Sequence, residues 1–169
     1  RQLQDLTDWR TVLRARAIDV PAYRAFLLQD AGAARLVGDV TPAYALMPVD
    51  RLRALADVAA DSRFLYLIRD PLARLWSHVR MIATRTTGPE AFAEESTRLL
   101  ERMLAGDLSG EGQGIAARGD YRGVIARLKQ AYAPGALMIE FQENLITLPG
   151  VARLSEFLGL TPAAAAVER

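Results

Sequence analysis

Apolar residues recur along this chain in two rhythms. Over 8–17, Trp9, Val12 and Leu13 share one side of a predicted helix. Pro21 opens a second helix with Tyr23, Phe26 and Leu27 in register, ending near Gly32. Leu36, Val37 and Val40 suggest a short strand over 35–40, leading into Thr41-Pro42-Ala43-Tyr44. Pro48 and Asp50 start another helix, whose Leu52, Leu55, Ala56 and Ala59 follow the spacing of a buried stripe. The unbroken apolar run Phe64–Ile68 reads as a strand covered on both faces, as in a parallel sheet.

At Arg69-Asp70-Pro71 the pattern changes to helical. Asp70 is placed to cap and Pro71 to fill the first turn, where a missing N–H costs nothing. Leu72, Leu75, Trp76 and Val79 fall at i, i+3, i+4, i+7 and are expected to face the core. Pro89 and Glu90 begin a further helix to about Leu104, and a glycine-rich loop over 106–119 follows. Val124, Ile125, Leu128 and Tyr132 align a helix over 121–132; Pro134-Gly135 turns into a strand over Leu137–Phe141. A last helix over 150–158 stops at Gly159. Strands alternating with helices of this length predict an α/β domain with a mainly parallel sheet.

Composition narrows the chemistry. The 169 residues are enough for one domain, and 51% hydrophobic content argues against disorder. A net charge of +1, from 21 basic and 20 acidic residues, gives no case for a nucleic-acid partner. Nearly all cations are Arg, with Lys129 the one lysine; a guanidinium fork suits phosphate or sulfate oxygens, although a GC-rich genome gives the same bias. Without cysteine there are no disulfides, and with His78 alone no His-based metal cluster, so no metal is expected. No apolar run approaches the roughly 20 residues of a membrane span, and no signal pattern opens the chain. The lack of cysteine fits a reducing compartment, so the expected location is cytoplasmic.

The candidate chemistry lies in Phe64-Leu-Tyr-Leu-Ile-Arg-Asp-Pro-Leu-Ala-Arg-Leu-Trp-Ser-His-Val79. Arg69 ends a strand, where α/β sheets place ligand crevices. Arg74 and Ser77 lie three apart, in line with Asp70, beside a helix N-terminus that favours anions. The alternative is a structural turn with Arg69 paired to an acid.

This run resembles the 3′-phosphate-binding segment of sulfotransferases that use 3′-phosphoadenosine 5′-phosphosulfate (PAPS). In that family an Arg ending a strand and a Ser eight residues on grip the donor's 3′-phosphate. Arg69 and Ser77 match those positions, and Arg74 fits the pattern between them. The segment 37–44 is similar to the family's Gly-Glu-x-Ser/Thr-Pro-x-Tyr, with Asp39 for Glu. Arg118-Gly119-Asp120-Tyr121, then Glu143-Asn144-Leu145 and Phe157-Leu158-Gly159-Leu160, follow its closing pattern. The resemblance implies an α/β fold with a P-loop-NTPase-like parallel sheet flanked by helices, and transfer of a sulfuryl group from PAPS to a hydroxyl or amine. It implies release of 3′-phosphoadenosine 5′-phosphate (PAP) and a small-molecule, lipid or carbohydrate acceptor. Arg69, Ser77 and Arg74 are its expected nucleotide contacts; Asp39, Thr41, Tyr44, Arg118 and Tyr121 are its expected substrate contacts.

The family's N-terminal 5′-phosphosulfate loop has no counterpart before Gly38, and no G-x-x-x-x-G-K-[ST] occurs. The closing nucleotide loop is not seen either, so 1–169 is expected to be a single partial sulfotransferase domain, inactive by itself. No catalytic base is assigned: Asp39 is expected to be structural or a substrate contact, and His78 packed or solvent-facing. Gly110-x-Gly112-x-Gly114 reads as part of a mobile loop, a lid in the family's terms, not a phosphate cradle. Trp9 and Trp76 read as core aromatics. A non-catalytic binding module and a P-loop nucleotide kinase relative are the alternatives.

Overall fold

The computed structural model describes residues 19–161; the expected helix over 8–17, with Trp9, lies outside them. Within them the chain is mixed and helix-rich. Helices α1 (Val20–Leu28) and α2 (Val49–Ala56) precede strand β1 (Phe64–Ile68). Helices α3 (Pro71–Leu104), α4 (Glu111–Gly119) and α5 (Tyr121–Ala131) lead to strand β2 (Leu137–Phe141), and the short α6 (Gln142–Leu145) and α7 (Leu148–Phe157) close it. The two strands pair in parallel, which requires the long helical crossover between them.

The chain divides into two compact units, one running to Phe64 and including Ala126–Met138, the other comprising Leu65–Ile125 and the chain from Ile139. In the first, α1 starts at Asp19, whose carboxylate accepts the Ala22 N–H at 2.9 Å. Its buried side chains include Leu52, Leu128 and Tyr132, and Tyr132 stacks on Phe64 with ring centroids 3.6 Å apart. Arg53 and Arg127 donate to the Gln130 and Ala45 carbonyls, each at 3.1 Å.

The core of the second unit is Val79, Ile82, Leu99 and Ile115, with Leu75 and Met103 packed against it. A straight α3 would hold Val79 and Leu99 about 30 Å apart. They meet because Gly88, at φ 82° and ψ 177°, breaks the helix, and Pro89 restarts it. The two helices expected over 71–104 are therefore separate rods joined at one glycine. At the start of α3, Asp70 Oδ1 accepts the Ala73 N–H at 2.7 Å, as the Asp-Pro pair predicts.

Four expectations need correction. Residues 35–40 form no strand; Leu36 and Val37 are exposed and Val40 is 94% exposed, so the segment has neither a ladder partner nor a covered face. β1 is not covered on both faces: burial alternates, with Leu65 and Leu67 exposed and Ile68 buried. Of the predicted core stripe on α3, Val79 and Leu75 pack, whereas Leu72 and Trp76 stay exposed: Leu72 lies in the first turn, before the core begins, and Trp76 lies to the side of the Leu75–Val79–Ile82 line. The glycine-rich segment is a loop only as far as Gly110. From Glu111 it is α4, fixed by buried Ile115, with Gly112 also buried.

Candidate functional site

β1 ends at Ile68 and delivers Arg69 to the head of α3. The Tyr121 hydroxyl donates to the Arg69 carbonyl at 3.0 Å, fixing the backbone and leaving the side chain exposed. Tyr121 is itself held edge-on by Tyr66, with centroids 6.3 Å apart.

Arg69 and Ser77 open onto one groove of about 410 Å³ along α3. Trp76, Arg80, Met81 and Thr84 line the rest. The lining carries cations from Arg69 and Arg80, hydroxyls from Ser77 and Thr84, and no carboxylate. Among the described residues, no acidic side chain pairs with Arg69, and the Ser77 hydroxyl has no protein partner. A guanidinium and a free hydroxyl near the start of a helix can together take a small anion.

Arg74 is elsewhere. It is not in the groove lining; its guanidinium stands 6.0 Å from the Tyr121 ring centroid. Arg118 donates to the Gly114 carbonyl at 3.3 Å. Between these arginines lies the field of His78, whose imidazole is held below its ordinary 6.5, first by burial and then by the charges of Arg74 and Arg118, against an opposing pull from Glu111. Its Nδ1 is buried without a partner. Thus Arg74 and Arg118 act on His78, and Arg74 also faces Tyr121; none of these is among the residues lining the Arg69–Ser77 groove.

The remaining predicted residues belong to the other unit. Asp39 accepts hydroxyl protons from Tyr23 at 2.9 Å, from Thr41 at 3.0 Å, and from Tyr44. The two phenol oxygens are 3.1 Å apart. Burial, and then these bonds, raise both tyrosines above the usual phenol range. Asp39 and its partners form a closed hydrogen-bonded cluster, so Thr41 and Tyr44 have their hydroxyl protons committed internally.

Sequence reasoning missed Tyr23 and the groove residues Arg80, Met81 and Thr84, and it assigned Trp76 to the core. The groove had a signal: Ala73, Ser77, Arg80 and Thr84 follow the 4-3-4 spacing of a helical stripe. Tyr23 had none, lying 16 residues before Asp39. Among the described residues, no group of acidic or histidine side chains is placed to hold a metal ion, and no helix is long and apolar enough to cross a membrane. Compared with protein-family models, curated proteins and solved structures, the chain matches none.

Proposed function

We propose that this chain carries the donor-binding part of a sulfotransferase, with Arg69 and Ser77 holding the 3′-phosphate of PAPS. The observation that carries it is the shared groove: the two side chains picked out by their sequence spacing open onto the same space, neither with a protein partner among the described residues. The parallel pair β1–β2 with its helical crossover is the kind of sheet that a P-loop-NTPase-like fold extends.

In the proposed reaction an acceptor hydroxyl or amine attacks sulfur as the bond from sulfur to the bridging phosphate oxygen breaks. The acceptor proton passes to a base, and PAP leaves with the bond's electron pair. Arg69 and Ser77 bind and orient the nucleotide; they do not move the proton. Tyr121 is a positioning residue for Arg69, and Arg74 acts on that ring rather than on the phosphate. Small-molecule, lipid and carbohydrate acceptors all fit this chemistry.

Calorimetry with PAP and with adenosine 5′-phosphate tests the assignment. Arg69→Ala is expected to weaken PAP about ten- to a hundredfold, the worth of a charged hydrogen-bonding pair. It should leave the nucleotide lacking a 3′-phosphate within about twofold. Equal losses for both nucleotides would remove the proposed role. Tight PAP binding without sulfuryl transfer to any acceptor class would leave a non-catalytic nucleotide-binding module.

A further inference from the structure

Past Ser77 the groove continues along α3 to residues that the 3′-phosphate does not engage. Arg80 lies one helical turn beyond Ser77, about 4.5 Å along the axis. Its guanidinium sits over the Phe92 ring, 5.3 Å from the centroid. This contact engages the charge without a hydrogen bond, and among the described residues no protein acceptor takes the guanidinium N–H donors, which are left for a ligand. No carboxylate among the described residues pairs with it, and none lines the groove. The Thr84 hydroxyl gives its proton to the Arg80 carbonyl at 2.9 Å, so it offers a ligand lone pairs only. Arg80 is therefore the anion donor at this end.

Trp76 and Met81 complete the wall, exposed to 45% and 48%. An indole and a thioether half open to water, beside an oriented cation, form an apolar platform with one charged edge. Inorganic phosphate alone would leave that platform uncovered, and an uncharged ring would leave Arg80 unmatched.

We infer that this end of the groove is a second subsite, for a flat apolar ring bearing an anionic group, with Trp76 and Met81 against the ring and Arg80 on the anion. The subsite is distinct from the 3′-phosphate position and stands whether or not Arg69 binds a nucleotide.

The probe is 4-nitrobenzenesulfonate, a non-fluorescent aryl anion, titrated against a Trp9→Phe background in which Trp76 is the remaining tryptophan. Saturable quenching of Trp76 is expected. Arg80→Gln should raise the dissociation constant at least tenfold, and Arg69→Ala should change it less than twofold. The uncharged 4-nitrobenzyl alcohol should bind at least tenfold more weakly than the sulfonate. Arg80→Lys keeps the stem and charge but loses the fork; it should weaken binding severalfold, and it decides the matter if Arg80→Gln fails to fold. Equal losses in the Arg69 and Arg80 variants would mean one diffuse anion patch and overturn the subsite. Quenching that does not saturate, or equal binding of the alcohol, would overturn it as well. Since the nucleotide assignment is read from PAP and Arg69 and this one from the sulfonate and Arg80, either can fail alone.

Discussion

One carboxylate, Asp39, accepts hydrogen bonds from the hydroxyls of Tyr23, Thr41 and Tyr44. Three of its four members were singled out from sequence, because Asp39, Thr41 and Tyr44 sit within six residues and resembled a family segment. Tyr23 joins only through folding. The same limit applies to Leu72 and Trp76, whose helical spacing predicted a core stripe that the fold covers only at Leu75 and Val79. Periodicity fixes which side chains share a face, and says nothing about where the partner surface stops. For the cluster, a hydrogen bond to a charged acceptor contributes about 1.5 kcal/mol or somewhat less at an accessible site. Tyr44→Phe should lower urea stability by about 1 kcal/mol, and Asp39→Ala by more, since it strands three donors at once. If both variants unfold at the wild-type urea midpoint, the cluster contributes nothing to stability.

Elements were read more accurately than surfaces. Both strands of the structure lie where the apolar runs predicted them, and the Asp-Pro signal marked the head of α3. The strand expected over 35–40 failed because local alternation cannot supply a ladder partner. The helix over Glu111–Gly119 was hidden because three glycines in nine residues read as a loop, while the burial of Ile115 that anchors it comes from tertiary packing. Gly88 and Gly150 show what glycine does in the second unit. An L side chain at φ 82° and ψ 177° costs about 1–3 kcal/mol, so Gly88→Ala should destabilise by that amount and strain the turn that lets Val79 meet Leu99. At Gly150 a Cβ would stand 2.0 Å from the Asn144 carbonyl oxygen and 2.7 Å from the Leu145 Cα, both backbone atoms that cannot swing aside. Gly150→Ala should therefore cost about 3 kcal/mol. Gly135→Ala, with nothing within 4 Å of its Cβ, is the control and should stay within about 0.5 kcal/mol. Urea midpoints ordered otherwise would mean that neither glycine is required by its backbone.

For the whole molecule, the perturbed groups set a pH window of stability with a different residue guarding each side. On the acid side His78 is held below 6.5 by burial and by Arg74 and Arg118, so the unfolded chain takes up this proton first. Stability is then complete above pH 6.5 and falls as the pH drops below it. Glu95, Asp107 and Glu140 are also held low, mainly by bonds to Arg98, to Ser109 and Arg102, and to Arg153. Those carboxylates lose their contribution as the pH falls through the ordinary carboxylate range and below it, which leaves the first decline under pH 6.5 to His78. On the alkaline side Tyr23 and Tyr44 are raised, and burial pushes Tyr132 up to about 12. Above pH 10 the unfolded chain sheds those protons while the native chain keeps them, so stability falls as the pH rises. Urea midpoints measured from pH 4 to 11 should show a plateau between the two arms. His78→Gln should flatten the decline between pH 6.5 and 5 and leave the alkaline arm in place, while Tyr132→Phe should soften the alkaline arm alone. An unchanged acid slope in His78→Gln would show that neither burial nor the Arg74 and Arg118 charges hold this imidazole low in the folded chain.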